Sequence, residues 1–263
     1  MSTLCRLTLA SVLFTLAACA ATPRRGPLPG TAEALYVQGV EDGANGLYQE
    51  AGKTFDGLKT RFPYSRYAAL AELRHADLHL QHDHHHEAIE GYRSFLQYHP
   101  THVDVPLAAF HIGEAYQAQI GRDWWFLPPT AEKDQANIRQ AIAAYDDMLA
   151  RYNDGGRLAE LAQAHRNECR RRLADHELYT ARFYFKQARY RAAAQRAEML
   201  LHDFGDLGID AEALLLMGHA RLHLGEAAQA RAPLERLRAD FPDSQEGQEA
   251  VRLLPRLPVP AHP

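Results

Sequence analysis

Cysteine is scarce in this 263-residue chain, which contains three: Cys5, Cys19 and Cys169. Cys5 falls inside an apolar run near the N-terminus, and Cys19 directly follows that run. If the first is removed with a signal peptide and the second is blocked by lipid, one thiol remains, and one thiol cannot form an internal disulfide. We therefore expect a domain stabilised by helix packing, in which Cys169 is a buried or half-buried small residue.

Motifs for catalysis are also missing. The sequence contains no serine nucleophile elbow, no glycine-rich phosphate loop and no His-Glu-x-x-His helix. The net charge of −4 supplies no basic field for nucleic acid. After residue 18, no segment is long and apolar enough to cross a membrane. We therefore predict a protein that is not an enzyme, carries no cofactor and binds no nucleic acid.

The dominant pattern is a phrase that recurs five times. It consists of an alanine, usually a bulky residue four positions later, and a turn-forming residue twelve positions after the alanine. The alanines are Ala51, Ala88, Ala141, Ala193 and Ala230, and the turn-forming residues are Pro63, Pro100, Asn153, Gly205 and Pro242. A repeated phrase of this kind indicates that one supersecondary unit is stacked several times.

Small residues on both helices of the unit explain its spacing. In the first and last copies a glycine lies twelve residues before the alanine, at Gly39 and Gly218. Small residues allow two antiparallel helices to approach closely, and the bulky residue one turn later fills the gap above them. The unit resembles the tetratricopeptide repeat, a helix–turn–helix of about 34 residues. The predicted fold class is all-α, a right-handed α-solenoid of about five such repeats.

The predicted domains follow from the spacing of the phrases. Repeats one to three occupy residues 32–152, repeats four and five occupy residues 153–254, and a proline-rich tail, expected to be extended, occupies residues 255–263. Residues 121–134 interrupt the third repeat with Gly and Pro, so we predict a loop between helices at roughly Asp104–Ile120 and Gln135–Tyr152. The aromatic run Trp124-Trp125-Phe126 in this loop either packs back on the repeats or contacts a partner or the membrane interface.

Residues 1–18 have the layout of a secretory signal peptide. The run ends in Leu16-Ala17-Ala18-Cys19, which resembles a bacterial lipobox, and the alternative is ordinary cleavage after a small-x-small site. In lipobox signals the peptide is cleaved before the cysteine, which is then acylated, for instance with palmitate. Residues 19–31, rich in Pro and Gly, would form a flexible tether. Ala20 stands where an inner-membrane retention signal has Asp, which favours the outer membrane.

A histidine run occupies the second repeat. It comprises His82, His84, His85 and His86 and follows His75 and His79. His75 and His79 are four residues apart and His79 and His82 three apart, helical spacings that suit zinc or copper. The alternative is a solvated turn between the two helices of the repeat, and the position of the run favours it. We therefore assign no metal site, and a His-rich periplasmic metal-binding lipoprotein stays an alternative function.

Together these features resemble the BamD family, tetratricopeptide lipoproteins of the outer-membrane β-barrel assembly machinery. The resemblance covers nearly all of the chain after the signal peptide. It rests on the lipobox, the five repeats and the sequence motifs at and after their junctions: FPYSRYA at 62–68, YHPTH at 98–102, and RLADHEL at 172–178 with its continuation to 196. The chain departs from the family pattern at Val103, where proline is common, and at its third and fourth junctions.

The resemblance implies a scaffold on the periplasmic face of the outer membrane, anchored by lipid at Cys19. The N-terminal repeats would receive the C-terminal strand of an unfolded outer-membrane protein, and the C-terminal repeats would dock the POTRA domains of a BamA-like barrel protein. A pilotin or a cell-division coordinator of the same fold is the alternative.

Site residues follow from the position of the small residue in the first helix of each repeat. Groove-facing positions lie three before, one after and four after it. In the first three repeats this selects Tyr36, Val40, Leu73, Asp77, Leu80, Phe110, Glu114 and Gln117 for peptide binding, and Gly43 completes the set. The alternative is that half of these pack against neighbouring helices. For docking an acidic POTRA surface we select Arg182, Arg189, Arg191 and Arg196.

Overall fold

A computed structural model describes residues 30–120, 135–152 and 155–258, and within these ranges the regular structure is entirely helical. The α-helices are α1 (Ala32–Ala44), α2 (Tyr48–Arg61), α3 (Arg66–Gln81), α4 (His85–Tyr98), α5 (Val105–Ala118), α6 (Ala136–Tyr152), α7 (Arg157–Lys186), α8 (Tyr190–Phe204), α9 (Asp210–His223), α10 (Ala227–Asp240) and α11 (Gln245–Leu253). They form five successive pairs and a single last helix. We call the odd-numbered member of each pair the A helix and the even-numbered member the B helix.

The chain divides into two compact units, with the boundary between Ala71 and Glu72. The first unit contains α1, α2 and the start of α3. Thr31 begins α1 because its side-chain oxygen accepts a hydrogen bond from the Ala34 N–H at 3.2 Å. α1 and α2 pack so closely that a Cβ added at Gly39 would lie 2.5 Å from a ring carbon of Phe55. Phe55 is therefore the bulky residue that seals the first pair.

In the second unit each helix from α4 to α11 packs against the next helix along the chain. The alternate helices α5, α7, α9 and α11 also contact one another in sequence order. Successive packing of this kind is characteristic of stacked helix pairs, whereas a closed bundle would bring distant helices together. The A helices α5, α7 and α9 therefore share one layer with α11.

The alanines, bulky residues and glycines of the repeated phrase lie where two paired helices meet, as their spacing predicts. The five alanines of the phrase are fully buried, as are the bulky residues that follow them. A Cβ added at Gly113 would lie 2.4 Å from the Tyr145 ring, and one added at Gly218 would lie 2.7 Å from Leu234. The all-α tetratricopeptide fold is thus confirmed, with bounds for α5 and α6 within two residues of the prediction.

Two features of the C-terminal half differ from expectation. α7 is a single helix of 30 residues, longer than either helix of an ordinary repeat. The predicted extended tail is wrong for its first residues, because Leu254–Arg256 form a 3₁₀ turn and Leu257 is buried beside Leu234 and Ala250. Arg231 holds this turn by donating to the Pro258 carbonyl at 3.0 Å. The tail therefore closes the apolar end of the last helix pair.

Cys169 lies in the middle of α7 and is fully buried. Burial raises the pKa of its thiol to about 11, so the side chain is a neutral packing residue at physiological pH. The expectation from cysteine content is confirmed for this residue. Across the described ranges, no helix combines the length and the apolar character that crossing a bilayer requires.

Candidate functional site

The predicted peptide-binding residues of the first unit lie on α1. Val40 is exposed, and Tyr36 is half-buried with its ring centroid 5.6 Å from that of Tyr67 and 6.3 Å from that of Phe55. The Tyr36 ring therefore packs against Phe55 and Tyr67 of the first unit, while Val40 adds an apolar side chain to the surface of that unit.

In the second unit, Asp77 of α3 is held by two donors. The Tyr92 hydroxyl donates to one carboxylate oxygen at 2.8 Å, and the Arg74 guanidinium donates to the other at 2.8 Å. Burial of the ring, with the negative charges of Asp77 and Glu114 nearby, raises the pKa of Tyr92 far above its usual value. The hydroxyl is thus a permanent donor that fixes the direction of the carboxylate.

Glu114 occupies the corresponding position on α5, one residue after the small Gly113. Its carboxylate lies 2.6 Å from Nδ1 of His111, and the His111 ring packs against Tyr92 with centroids 5.4 Å apart. A series of side-chain contacts therefore links Asp77 of α3, through the buried Tyr92 of α4, to His111 and Glu114 of α5.

A second network joins α5, α6 and α7. The Tyr145 hydroxyl donates to Oε1 of Gln117 at 2.8 Å, and Nδ1 of His165 lies 3.0 Å from the same oxygen. The Gln117 amide in turn donates to Glu168 at 3.2 Å, and Glu168 also accepts from Arg172 at 2.9 Å. Burial, with acidic neighbours, raises the pKa of Tyr145 far above its usual value, so this hydroxyl is also a fixed donor.

We name the carboxylates Asp77, Glu114 and Glu168 the acidic row. They come from the A helices of three consecutive repeats, and Tyr92 and Tyr145 lie between them, since Glu114 influences the pKa of both tyrosines. Sequence reasoning missed Glu168 because groove-facing positions were derived only for the first three repeats. The uninterrupted helical sequence of residues 157–186, which contains no Gly or Pro, was the signal that could have revealed it.

Two of the eight predicted peptide contacts are not at the surface. Leu73 is 2% exposed and Phe110 is 5% exposed, so both belong to the core and support the surface from below. Phe110 packs against the rings of Tyr145 and His165. Leu80 is half-buried, and its contact with peptide stays a prediction, as do the peptide contacts of Asp77, Glu114 and Gln117.

The predicted docking arginines divide into two kinds. Arg196 donates to the buried Glu177 at 2.7 Å, and Arg139 donates to the same carboxylate at 3.3 Å, so this cluster joins α8, α7 and α6. Arg182 is paired with Glu212 of α9. Both arginines therefore already have structural partners, which the prediction did not anticipate.

Arg189 and Arg191 are different, because both are exposed at the start of α8. Within the described part of the chain, no carboxylate lies at ion-pair distance from either. They remain candidates for docking.

The histidine run lies at the turn between α3 and α4, as its position predicts. Asp83 adopts a left-handed conformation there (φ 60°), and the His75 and His79 rings stack with centroids 4.7 Å apart. Among residues 30–120, 135–152 and 155–258, no three His, Cys, Asp or Glu side chains are grouped as metal ligands. Cys19 and the Trp124-Trp125-Phe126 run lie outside the described residues.

Comparison with known proteins gives consistent matches over most of the chain. The sequence model of the outer membrane lipoprotein family YfiO matches residues 29–252. The outer membrane protein assembly factor BamD of Neisseria meningitidis serogroup A is 27% identical over 218 residues, which cover 81% of this chain and 80% of that protein. BamD of Pasteurella multocida is 27% identical over 233 residues, covering 86% of this chain and 87% of its own. Among solved structures, the TPR2AB-domain:pHSP90 complex of yeast Sti1 aligns over 86% of this chain and 84% of its own, with a TM-score of 0.45 and 12% identity.

Proposed function

The chain belongs to the outer membrane lipoprotein family YfiO, and we propose that it acts as an outer membrane protein assembly factor. In this proposal it is a non-enzymatic scaffold, anchored by lipid at Cys19 on the periplasmic face of the outer membrane. It receives unfolded outer-membrane proteins through their C-terminal strands and docks on the POTRA domains of a BamA-like barrel protein. The relatives that share about a quarter of its residues are outer membrane protein assembly factors by name.

The acidic row is the observation that supports strand binding most directly. An extended strand without a partner strand presents a line of unsatisfied backbone N–H groups. Carboxylates accept hydrogen bonds from such groups strongly, and more so when their direction is already fixed. Before any peptide arrives, Tyr92 and Arg74 hold Asp77, His111 holds Glu114 and Arg172 holds Glu168. The row can therefore hold an extended segment without ordering its own side chains first.

Docking in this proposal uses the C-terminal repeats, at the start of α8. Arg189 and Arg191 are two exposed cations near each other in sequence, and neither is used to hold helices together. Exposed cations of this kind pair with a complementary acidic surface and mainly raise the rate and specificity of association. Arg182 and Arg196 instead keep α7, α8 and α9 in register.

Strand binding is tested with the full mature chain and a synthetic peptide that carries the aromatic-ended C-terminal strand of an outer-membrane β-barrel protein. Fluorescence anisotropy gives the dissociation constant. Replacing Asp77→Asn and Glu114→Gln together should weaken binding about tenfold, because amides accept hydrogen bonds less strongly than carboxylates. The matched control, Asp203→Asn with Glu235→Gln, neutralises exposed carboxylates of two B helices and should have no effect. Equal weakening by both pairs, or by neither, contradicts the proposal.

Docking is tested by recovery of the barrel protein from envelope extracts. Arg189→Glu with Arg191→Glu should reduce recovery strongly, whereas Arg238→Glu, at an exposed position on α10, should not. Recovery of pilus or peptidoglycan components in place of a barrel protein would favour the pilotin or cell-division alternative.

A further inference from the structure

The junction between α2 and α3 carries an unusual set of exposed side chains. Tyr64 is 102% exposed, so its ring projects entirely into solvent. Lys59, Arg61 and Arg66 flank it within five residues on either side. We name these four residues the basic edge. A tyrosine with no contact to the fold contributes nothing to packing, which suggests that its partner is outside the first unit.

The two arginines are held in place without being neutralised. The Arg61 guanidinium lies 5.6 Å from the centroid of the Phe62 ring, and that of Arg66 lies 4.8 Å from the centroid of Tyr67, whose hydroxyl accepts from Arg66 at 2.8 Å. Among the described residues, neither has a carboxylate at ion-pair distance, whereas Lys59 is paired with Asp56 at 3.0 Å. The hydrogen bond to Tyr67 and, after it, the negative charge of Glu33 raise the pKa of Arg66. The edge therefore presents net positive charge.

The basic edge lies at the end of the first unit where α1 begins. The ring of Tyr36, in the first turns of α1, contacts the ring of Tyr67 in the first turn of α3, and Glu33 is near enough to influence Arg66. Thr31 begins α1 at this end of the unit, and the sequence from Cys19 to Thr31 leads to it. Its 12 residues (31 − 19) span at most about 40 Å when fully extended. A lipid at Cys19 would therefore keep the basic edge within about 40 Å of the membrane surface.

We propose that the basic edge contacts the anionic phospholipid surface of the membrane that holds the lipid anchor. This inference rests on the lipidation of Cys19 in the proposed function and adds a second attachment to it. Tyrosine prefers the boundary between headgroups and acyl chains, where its ring is in an apolar phase and its hydroxyl is hydrated. Cations near an anionic bilayer each add to binding, and a basic patch cooperates with an acyl chain. Contact on this edge would give the first unit a second attachment to the bilayer and would orient it there.

The experiment uses the full mature chain with Cys19→Ser, so that no lipid contributes. Flotation with vesicles of phosphatidylethanolamine and phosphatidylglycerol is compared with flotation on phosphatidylcholine alone. The chain should float with the anionic vesicles and be released by high salt. Arg61→Gln and Arg66→Gln should each lower the partition coefficient about fivefold, and Tyr64→Ser should lower it further in either background.

Matched controls separate the edge from general surface charge. Tyr98→Ser removes another exposed tyrosine at a junction between two helices, 69% exposed, and Arg238→Gln removes an exposed cation of α10. Neither should change flotation. Equal partitioning to both kinds of vesicle, or equal losses in control and edge variants, overturns the proposal. The edge variants should bind the strand peptide like the parent chain, so a failure of membrane contact is distinguishable from a failure of the assembly role.

Discussion

Replacing Gly39 with alanine should destabilise the protein, although alanine is the better helix former. Gly39 lies in the interior of α1, where exchange for alanine ordinarily stabilises a helix by roughly 0.5–1 kcal/mol. Here the added Cβ would lie 2.5, 2.8 and 2.9 Å from three ring carbons of Phe55. Contacts shorter than 3.0 Å require one of the two helices or the ring to move.

The ring has little freedom to move. Phe55 is 1% exposed, and the ring of Tyr36 packs beside it. Overpacking of a well-filled core typically costs about 1–3 kcal/mol, and three simultaneous contacts place this case in the upper part of that range. After subtracting the helix gain, we expect a net loss of about 1–2 kcal/mol, or a melting temperature lower by about 2–8 °C.

Gly57 provides the matched control within the same compact unit. It lies inside α2, and a Cβ added there meets nothing within 4 Å. Gly57→Ala should therefore stabilise the protein by roughly 0.5–1 kcal/mol. Thermal and urea unfolding, followed by circular dichroism, measure both variants under one set of conditions.

A double-mutant cycle identifies the cause. In a Phe55→Ala background the ring is absent, so Gly39→Ala should become neutral or stabilising, with a coupling energy of about 2 kcal/mol. If Gly39→Ala unfolds at the same temperature as Gly57→Ala, or remains destabilising without the ring, the close approach of α1 and α2 is not the reason that glycine occupies this position.

Two further substitutions test electrostatic features of the second unit. Glu177→Gln should lower the free energy of unfolding by about 1.5–3 kcal/mol, because Arg139 and Arg196 both lose a charged acceptor. The loss is smaller than that for breaking a fully buried ion pair, since both arginines reach solvent. As a control in the same urea titration, Glu198→Gln weakens an exposed ion pair and should change the free energy of unfolding by under about 0.5 kcal/mol. Burial raises the pKa of the Asp175 carboxyl, so the folded state holds this proton more tightly than the unfolded state and the ionised form disfavours folding at neutral pH. Asp175→Asn should therefore raise the melting temperature at pH 7 and lose that advantage at about pH 3, where both side chains are neutral; an advantage that grows in acid would contradict the reasoning.

Much of the fold could be predicted because its cause is local. A small residue on each helix and a bulky residue one turn later are sequence features, and their spacing sets which residues meet when two helices pair. Gly113 and Tyr145 meet across 32 positions (145 − 113) although a long insertion separates α5 from α6. The spacing within each helix, and not the distance between helices along the chain, carries the information.

The docking arginines show why the rest could not be predicted. Arg189, Arg191 and Arg196 are equivalent in type and close in sequence. Only the packing of α8 against α7 brings Arg196 to the buried Glu177, and no local pattern marks a glutamate as the one that will be buried. A buried carboxylate must be paired, so it binds nearby cationic side chains that would otherwise be predicted to bind a partner.

The burial of Leu73 and Phe110, two of the residues predicted to bind peptide, has a geometric reason. The small residue marks the contact with the B helix, and successive residues of an α-helix are separated by about 100° around the axis. The position four after the small residue therefore lies about 40° from that contact, the position three before it about 60°, and the position one after it about 100°. The first two positions face the B helix, and Gln117 accordingly bonds to Tyr145 while Leu73 and Phe110 are buried. The third position lies farther round the helix from that contact, and it carries Val40, Asp77 and Glu114, of which Asp77 still reaches the Tyr92 hydroxyl of α4. The acidic row therefore consists of two residues at this third position, Asp77 and Glu114, and of Glu168 of α7, which Gln117 of α5 contacts through its side-chain amide.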